Sequence, residues 1–170
     1  HTFDRACLGI SGYCQRNDQA AIAQFAGFLT LDALIGNTDR HHLNWAVINS
    51  TPPRLAPSFD PASSLGRELE DKRRHQILSR SGMADYLQRG EGQVFLKDQP
   101  KAVSPIGLVT VLRAQFPALF DPWLMALEGV TEDRLDRIMR RLPKDWVSER
   151  QLAFAKSVVL ESKRILCGLR

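Results

Sequence analysis

The amino-acid sequence predicts a mainly α-helical fold carrying one small β-hairpin. Three observations lead there. Apolar residues recur at helical period in several segments, those segments begin with residues that cap helices, and two short β-like runs flank the pair Pro52-Pro53. At 170 residues, with 44% apolar and 25% charged side chains, the chain has the length and composition of one globular domain with one core, spanning residues 1–170.

Taken in order, Asp18–Ile35 places Ile22, Phe25, Phe28, Leu29, Ala33 and Leu34 near helical period, with Asn17 as the expected N-cap and Gly36 as the stop. "NWAVIN" and "RLAPSF" then read as two strands, Trp45–Asn49 and Leu55–Phe59, because Pro52-Pro53 continues neither a helix nor a ladder. "ASSLGRELEDKRRHQIL" after Asp60 reads as helix, and Gly82–Arg89 as a short one. "SPIGLVTVLRAQF" opens with Ser104 as cap and Pro105 at the first helical position. "TEDRLDRIMRRL" has Thr131 as cap and two acids in its first turn. The last helix starts at "SERQ", where Ser148 and Gln151 have capping-box spacing, and its stripe of Leu152, Ala155, Val159, Leu166 and Leu169 is expected to face inward. Trp45, Trp123, Trp146 and Phe154 read as core or boundary aromatics, and Asp98-Gln99-Pro100 as a loop.

Composition narrows the function. Apolar stretches are broken by charges well before bilayer-spanning length, so no membrane span is expected. Cys7, Cys14 and Cys167 make an odd count without CxxC spacing, which argues against a disulfide framework and a cysteine zinc site and suits a reducing cytoplasm. The net charge of +4 gathers in "DKRRHQILSR" and "DRIMRRLPK", read as solvated helix faces; no aromatics interleave with the cations, so no direct nucleic-acid contact is required. "GEG" at Gly90–Gly92 is no phosphate loop, since neither a helix start nor GK[ST] follows.

The chemistry concentrates in "LIGNTDRHHLNWAVIN", Leu34–Asn49. If the two strands pair about Pro52-Pro53, Asn44 and Asp60 come side by side at the open mouth of the hairpin, where opposite residues sit roughly 4.5–5.5 Å apart. Asp39 is five residues back on the incoming loop. An amide oxygen and a carboxylate suit Mg²⁺, which takes few protein oxygens and completes its shell with water and phosphate. Asp39 would then accept a proton from an attacking hydroxyl. The pattern Asp39-x-x-x-x-Asn44 followed by Asp60 is what phosphoryl transfer uses in protein kinases, although Phe59-Asp60-Pro61 departs from their D-F-G triplet.

On these residues, "LIGNTDRHHLNWAVI" followed by "LAPSFDPASSLGREL" resembles the catalytic and metal loops of the HipA-type serine/threonine kinases, best known as toxins of bacterial toxin–antitoxin pairs. The resemblance implies the C-terminal lobe of a protein-kinase-like fold in a cytoplasmic bacterial protein. It implies Asp39 as catalytic base, Asn44 and Asp60 as Mg²⁺ ligands against ATP, and a protein hydroxyl as acceptor, with an antitoxin-like partner. Arg40 and His42 take supporting roles in the same loop, Arg40 by pairing with an acid or by meeting phosphate.

A kinase also needs a lobe over the nucleotide, with a glycine-containing phosphate loop and a strand lysine. Neither precedes Asp39, and 1–17 is too short to hold them; the start without Met favours an N-terminal lobe lying upstream of His1. Without that lobe little or no turnover is expected, because phosphoryl transfer rests on positioning and electrostatics. Two other classes fit the same residues: a phosphotransferase acting on a lipid or small molecule, and a non-catalytic partner-binding lobe. A zinc or iron hydrolase built on His41, His42, Asp39 and Asp60 lacks a third well-spaced histidine, since His75 falls in a basic helix. Ser63 and Ser64 could be phosphorylated or could cap the following helix, with Ser63 better suited to a cap, and no general base is arranged for serine nucleophile chemistry.

Overall fold

A helix that is apolar on every face has to be buried on every face. In the computed structural model, which describes residues 2–14, 18–97, 101–143 and 145–169, this is helix α2 (Asp18–Ile35), buried at eleven of its 18 residues. It forms the axis of the domain. Helices α1 (Phe3–Cys14), α5 (Pro105–Gln115), α6 (Pro117–Ala126) and α8 (Glu149–Cys167) all pack against it. The cap expected at Asn17 and the loop Asp98-Gln99-Pro100 lie outside the described residues.

Two helices emerge that the sequence reading did not anticipate. In α1, Phe3, Ala6, Ile10 and Cys14 recur at three- and four-residue spacing and are buried. Helix α6 starts at Pro117, directly after the C-cap of α5 at Phe116, so proline there restarts a helix rather than ending one. It is locked onto α2 at Gly27, where a Cβ would lie 2.6 Å from the Trp123 indole; the indole Nε1 donates to the Ala23 carbonyl at 2.7 Å.

The expected helix starts are present. Ser104 Oγ accepts from the Gly107 amide at 3.0 Å and Thr131 Oγ1 from the Arg134 amide at 3.3 Å, opening α5 and α7 (Glu132–Met139). Ser148 and Gln151 form a reciprocal capping box on α8. Helix α4 (Met83–Arg89) matches the short segment expected there.

Other expectations need correction. The helix after Asp60 does not begin at Ala62; α3 covers Asp71–Ser79 alone. Leu65 and Gly66 stand at φ 56° and 69°, which no α-helix accommodates. The buried Arg74 of α3 holds this turn through Nη2 to the carbonyls of Gly66 and Arg67, both at 3.1 Å. The strands are also shorter than read: β1 (Val47–Ile48) and β2 (Arg54–Leu55) pair Val47 with Leu55 and Ile48 with Arg54. The turn therefore centres on Thr51, one residue earlier than expected, where Ser50 bonds the carbonyls of Ile48 and Pro52. A last ladder bond from the Ala56 amide to the Ala46 carbonyl precedes Pro57, which has no N–H to continue it. On α8, Val159 and Leu166 are buried as expected, joined by Phe154 and Val158, while Leu152 and Ala155 are only half-buried. Trp146 is 76% exposed and belongs to no core. All three cysteines are free thiols, and no described helix is long and apolar enough to cross a membrane.

Of the glycines, Gly66 leaves least room for a side chain, since a Cβ added there would fall 2.3 Å from Phe154 Cε1 on a backbone that already favours glycine. Gly66→Ala is expected to lower stability by about 1–3 kcal/mol, read as the urea midpoint at unchanged slope. A change of only a few tenths would mean that α8 yields easily at Phe154.

Candidate active site

Helix α2 ends with a charge where its pattern calls for an apolar residue. Asp32 is 2% exposed, and a buried carboxylate is tolerable only when paired and hydrogen-bonded. Its partner is Arg40, equally buried, eight residues on. Arg40 Nε meets Asp32 Oδ2 at 2.7 Å and Nη2 meets Oδ1 at 2.8 Å, the two-pronged geometry that suits guanidinium and carboxylate. Asn37 Nδ2 adds a bond to Asp32 Oδ1 at 2.8 Å, while Asn37 Oδ1 receives the Asp39 amide at 3.2 Å.

The same guanidinium reaches the far side of the hairpin. Nη1 donates to the Asn44 carbonyl at 2.5 Å and the Phe59 carbonyl at 3.3 Å, and Nη2 to Ser58 Oγ at 2.8 Å. Its face lies over the Phe28 ring, 5.7 Å from the centroid. All five N–H donors of Arg40 are thereby engaged, leaving none for a phosphate. Of the two roles the sequence allowed Arg40, the geometry realises the pairing with an acid.

Asn44 is buried, and its Nδ2 donates to the Asp39 carbonyl at 2.7 Å. Holding the amide by its nitrogen turns the oxygen, the limb a hard cation would use, to the other side. Asp39 itself is half-exposed, with its backbone fixed by Asn37 and Asn44 and its carboxylate free to meet a substrate. Asp60 is exposed and stands at φ 51°, a left-handed conformation for a residue that precedes a proline. The residue before proline ordinarily stays extended, so Asp60 is a true backbone outlier, and such outliers gather at functional sites.

Asn44 and Asp60 do not face each other across the ladder, as the expected register had them. The observed pairing, extended two steps beyond Ala46 and Ala56, sets Asn44 level with Ser58. Arg40, not the ladder, ties the Asn44 backbone to residues 58–59 and so delivers Asp60 to the mouth of the hairpin. Among the described residues, no three His, Cys, Asp or Glu side chains gather into a metal cage. A cation here would be held jointly by Asn44, Asp60 and a ligand's own oxygens, a donor set that suits Mg²⁺.

The histidines separate. His42 is exposed and tilts against His41, with 5.9 Å between ring centroids. His41 Nδ1 accepts the Leu43 amide at 3.1 Å, so its proton sits on Nε2, which lies 3.9 Å from Asp39 Oδ1. His41 was given no part in the kinase reading of the sequence, yet its Nε2 stands 3.9 Å from the candidate base. Asp32 was likewise overlooked, although a lone acid inside "FLTLDALIG" was a readable signal. A cavity of about 340 Å³ opens beside Thr38, walled by Ser63, Ser64, Tyr86 and Glu91.

No family model and no curated protein sequence matches this chain. Nine chains of solved structures do match. One is the crystal structure of a Helicobacter pylori proinflammatory kinase, CtkA, with a TM-score of 0.70 and 19% identity over 86% of this chain and 51% of that one. The chain spans about half the length of that kinase, and the likeness is one of fold. The fold class expected from the sequence stands: a mainly helical lobe with a two-stranded antiparallel hairpin, of kinase-like architecture.

Removing one member of the buried pair strands the other. Asp32→Ala is expected to destabilise by about 3–5 kcal/mol, whereas the joint replacement Asp32→Leu with Arg40→Met keeps most of the stability. Urea unfolding of both variants checks this; equal losses would show that the hydrogen bonds to 44, 58 and 59 matter more than the charge pair.

Proposed function

We propose that this chain is the catalytic and metal-binding lobe of an ATP-dependent protein serine/threonine kinase of HipA type, working in the cytoplasm with a nucleotide-clamping lobe supplied by sequence outside it. The observation that carries the proposal is the Arg40 junction. It holds in one place an aspartate with a reachable carboxylate, an asparagine clamped by its nitrogen and a strained, exposed aspartate. The kinase-like fold supports the same reading.

In this reading Asp39 orients the acceptor hydroxyl and takes its proton as the oxygen attacks. Two bonds to its backbone support that role, from the Asp39 amide to Asn37 Oδ1 and from Asn44 Nδ2 to the Asp39 carbonyl. Asn44, through its side-chain oxygen, and the Asp60 carboxylate are the residues that would hold Mg²⁺. When bound, Mg²⁺-ATP supplies the phosphoryl group and the counter-charge that its transfer requires. Arg40 contributes stiffness rather than charge, because its own charge is answered by Asp32. His41, with Nε2 toward Asp39, lies where it can share the proton's environment without being the base.

Two measurements test the proposal. Mg²⁺-ATP titrated calorimetrically into the chain is expected to bind saturably, to lose affinity by at least about tenfold in Asp60→Asn, and to bind unchanged in Asp39→Asn, since that residue serves transfer rather than binding. With the upstream lobe present, Asp39→Asn is expected to lower phosphate transfer to protein by about 10²–10⁴-fold. Transfer to lipid or sugar alcohols in place of protein would contradict the substrate class. Failure to bind Mg²⁺-ATP even with the upstream lobe would overturn the kinase reading altogether.

A further inference from the structure

The segment Gly90-Glu91-Gly92 takes no part in the site described above, yet the fold holds it at both ends. Gly90 is the C-cap of α4 and backs onto the catalytic loop, where a Cβ would fall 3.2 Å from Thr38 Cγ2. The Gly92 amide donates to the Val103 carbonyl at 2.9 Å, and a Cβ there would fall 3.1 Å from the same oxygen. A larger residue at either position would push the chain off its neighbour. Glu91 is thereby set beside Thr38, the residue that precedes the candidate base. Its side chain is exposed and lines the cavity of about 340 Å³.

That cavity carries one unanswered charge. Its arginine, Arg67, meets Glu68 at 3.1 Å, so these two offset each other. Arg89, the cation nearest Glu91 in sequence, leans to Asp85 at 3.8 Å instead. Among the described residues Glu91 has neither an ion-pair nor a hydrogen-bond partner. The hydroxyls around it are neutral, and burial raises the Tyr86 phenol, which keeps it protonated. Leu69, Leu87 and Pro105 supply apolar wall. This combination suits a long side chain that ends in a cation, its stem on the apolar wall and its head on the carboxylate. An anionic ligand would meet Glu91 and find Arg67 already answered.

We propose that this cavity is an acceptor-recognition subsite, taking a lysine or arginine side chain of the substrate protein with its charge on Glu91 and its stem on Leu69, Leu87 and Pro105. The inference rests on the kinase reading, in which Asp39 meets the acceptor hydroxyl. Asp39 follows Thr38 in the chain and Glu91 follows Gly90, which backs onto Thr38, so one short segment can engage both carboxylates. An extended chain spans at most about 3.3–3.6 Å per residue, which puts the cation within about three residues of the accepting serine or threonine. The nucleotide does not compete for this place, since neither strand of the hairpin lines the cavity. The cavity is fastened to the loop it serves by the bond from the Thr38 amide to the Ser63 carbonyl at 3.3 Å. Glu91 meets the substrate away from the reacting atoms: it sets specificity and takes no part in proton transfer.

The test uses fluorescein-labelled, alanine-rich peptides of about eleven residues, with a central serine and arginine two residues to either side, titrated with the chain and followed by anisotropy. Saturable binding is expected. Glu91→Gln should weaken it by about tenfold or more, with the urea midpoint unchanged because the side chain is exposed. Asp133→Asn removes the same charge from α7 and should leave binding unchanged. Glutamate in place of the arginines should abolish binding to the wild-type chain, and Glu91→Arg should restore it. With the upstream lobe and Mg²⁺-ATP present, Glu91→Gln should raise KM for the arginine peptide by about tenfold or more at little-changed kcat. No binding of the arginine peptide, equal binding of the arginine and glutamate peptides, or a preference that survives Glu91→Gln would overturn the proposal, whether or not transfer occurs. Glu91-dependent binding with no transfer to any protein, even with the upstream lobe, would place the failure in the kinase reading and leave the cation site standing.

Discussion

One buried ion pair decides the geometry of the candidate site. Asp32 and Arg40 are each almost wholly withdrawn from water, and each is tolerable there only because of the other and of the hydrogen bonds around them. Replacement by apolar residues would give comparable stability, so the pair is best understood by what else it holds. The two N–H groups of Arg40 Nη1, with one from Nη2, go to the Asn44 and Phe59 carbonyls and to Ser58 Oγ. A lysine, with a single ammonium and no planar fork, could not span these positions while keeping both contacts to Asp32.

Segments distant in sequence are brought together by this one guanidinium. Helix α2 supplies the carboxylate, the loop after it supplies the arginine and the candidate base, and the second limb of the hairpin supplies the carbonyl beside Asp60. A ladder of two residue pairs is too short to do this alone, since an isolated two-stranded hairpin is marginal in water. The division of labour suits a site of this kind: buried groups give rigidity, and the groups left with free oxygens, Asp39 and Asp60, stay accessible. The price is backbone strain at Asp60 and, farther along, left-handed Leu65 and Gly66, which Arg74 and Phe154 hold in place.

Much of this was legible beforehand, for reasons that are local. Caps at Ser104, Thr131 and Ser148 act within one helical turn, so their side chains announce the helices they start. The Asp39–Asn44 spacing lies in one loop and survives any error in the fold around it. What failed depends on distant partners. The helix expected from Ala62 was overridden at Gly66 by the approach of Phe154, almost ninety residues later. The hairpin register moved because a turn's centre is set by the hydrogen bonds of Ser50, which propensity does not report. Helix α6 was hidden because Pro117 reads as a stop until it is seen to begin a new helix on α2. Asp32 was passed over inside an apolar run, although an acid there requires a buried partner and Arg40 was the nearest cation downstream.

The Asp32–Arg40 pair, rather than the strand ladder, ties the backbone at Asn44 to the residue before Asp60. Mn²⁺ as a paramagnetic substitute for Mg²⁺, added with ATP to isotopically labelled chain, tests it directly through the broadening of backbone amides. In the wild-type chain broadening should centre on the segments around Asn44 and Asp60. In Asp32→Leu with Arg40→Met, folded by its dispersed spectrum, that paired broadening should be lost or collapse onto one segment. Broadening of both segments that persists undiminished in the folded double variant would contradict the claim and return the task to the hairpin.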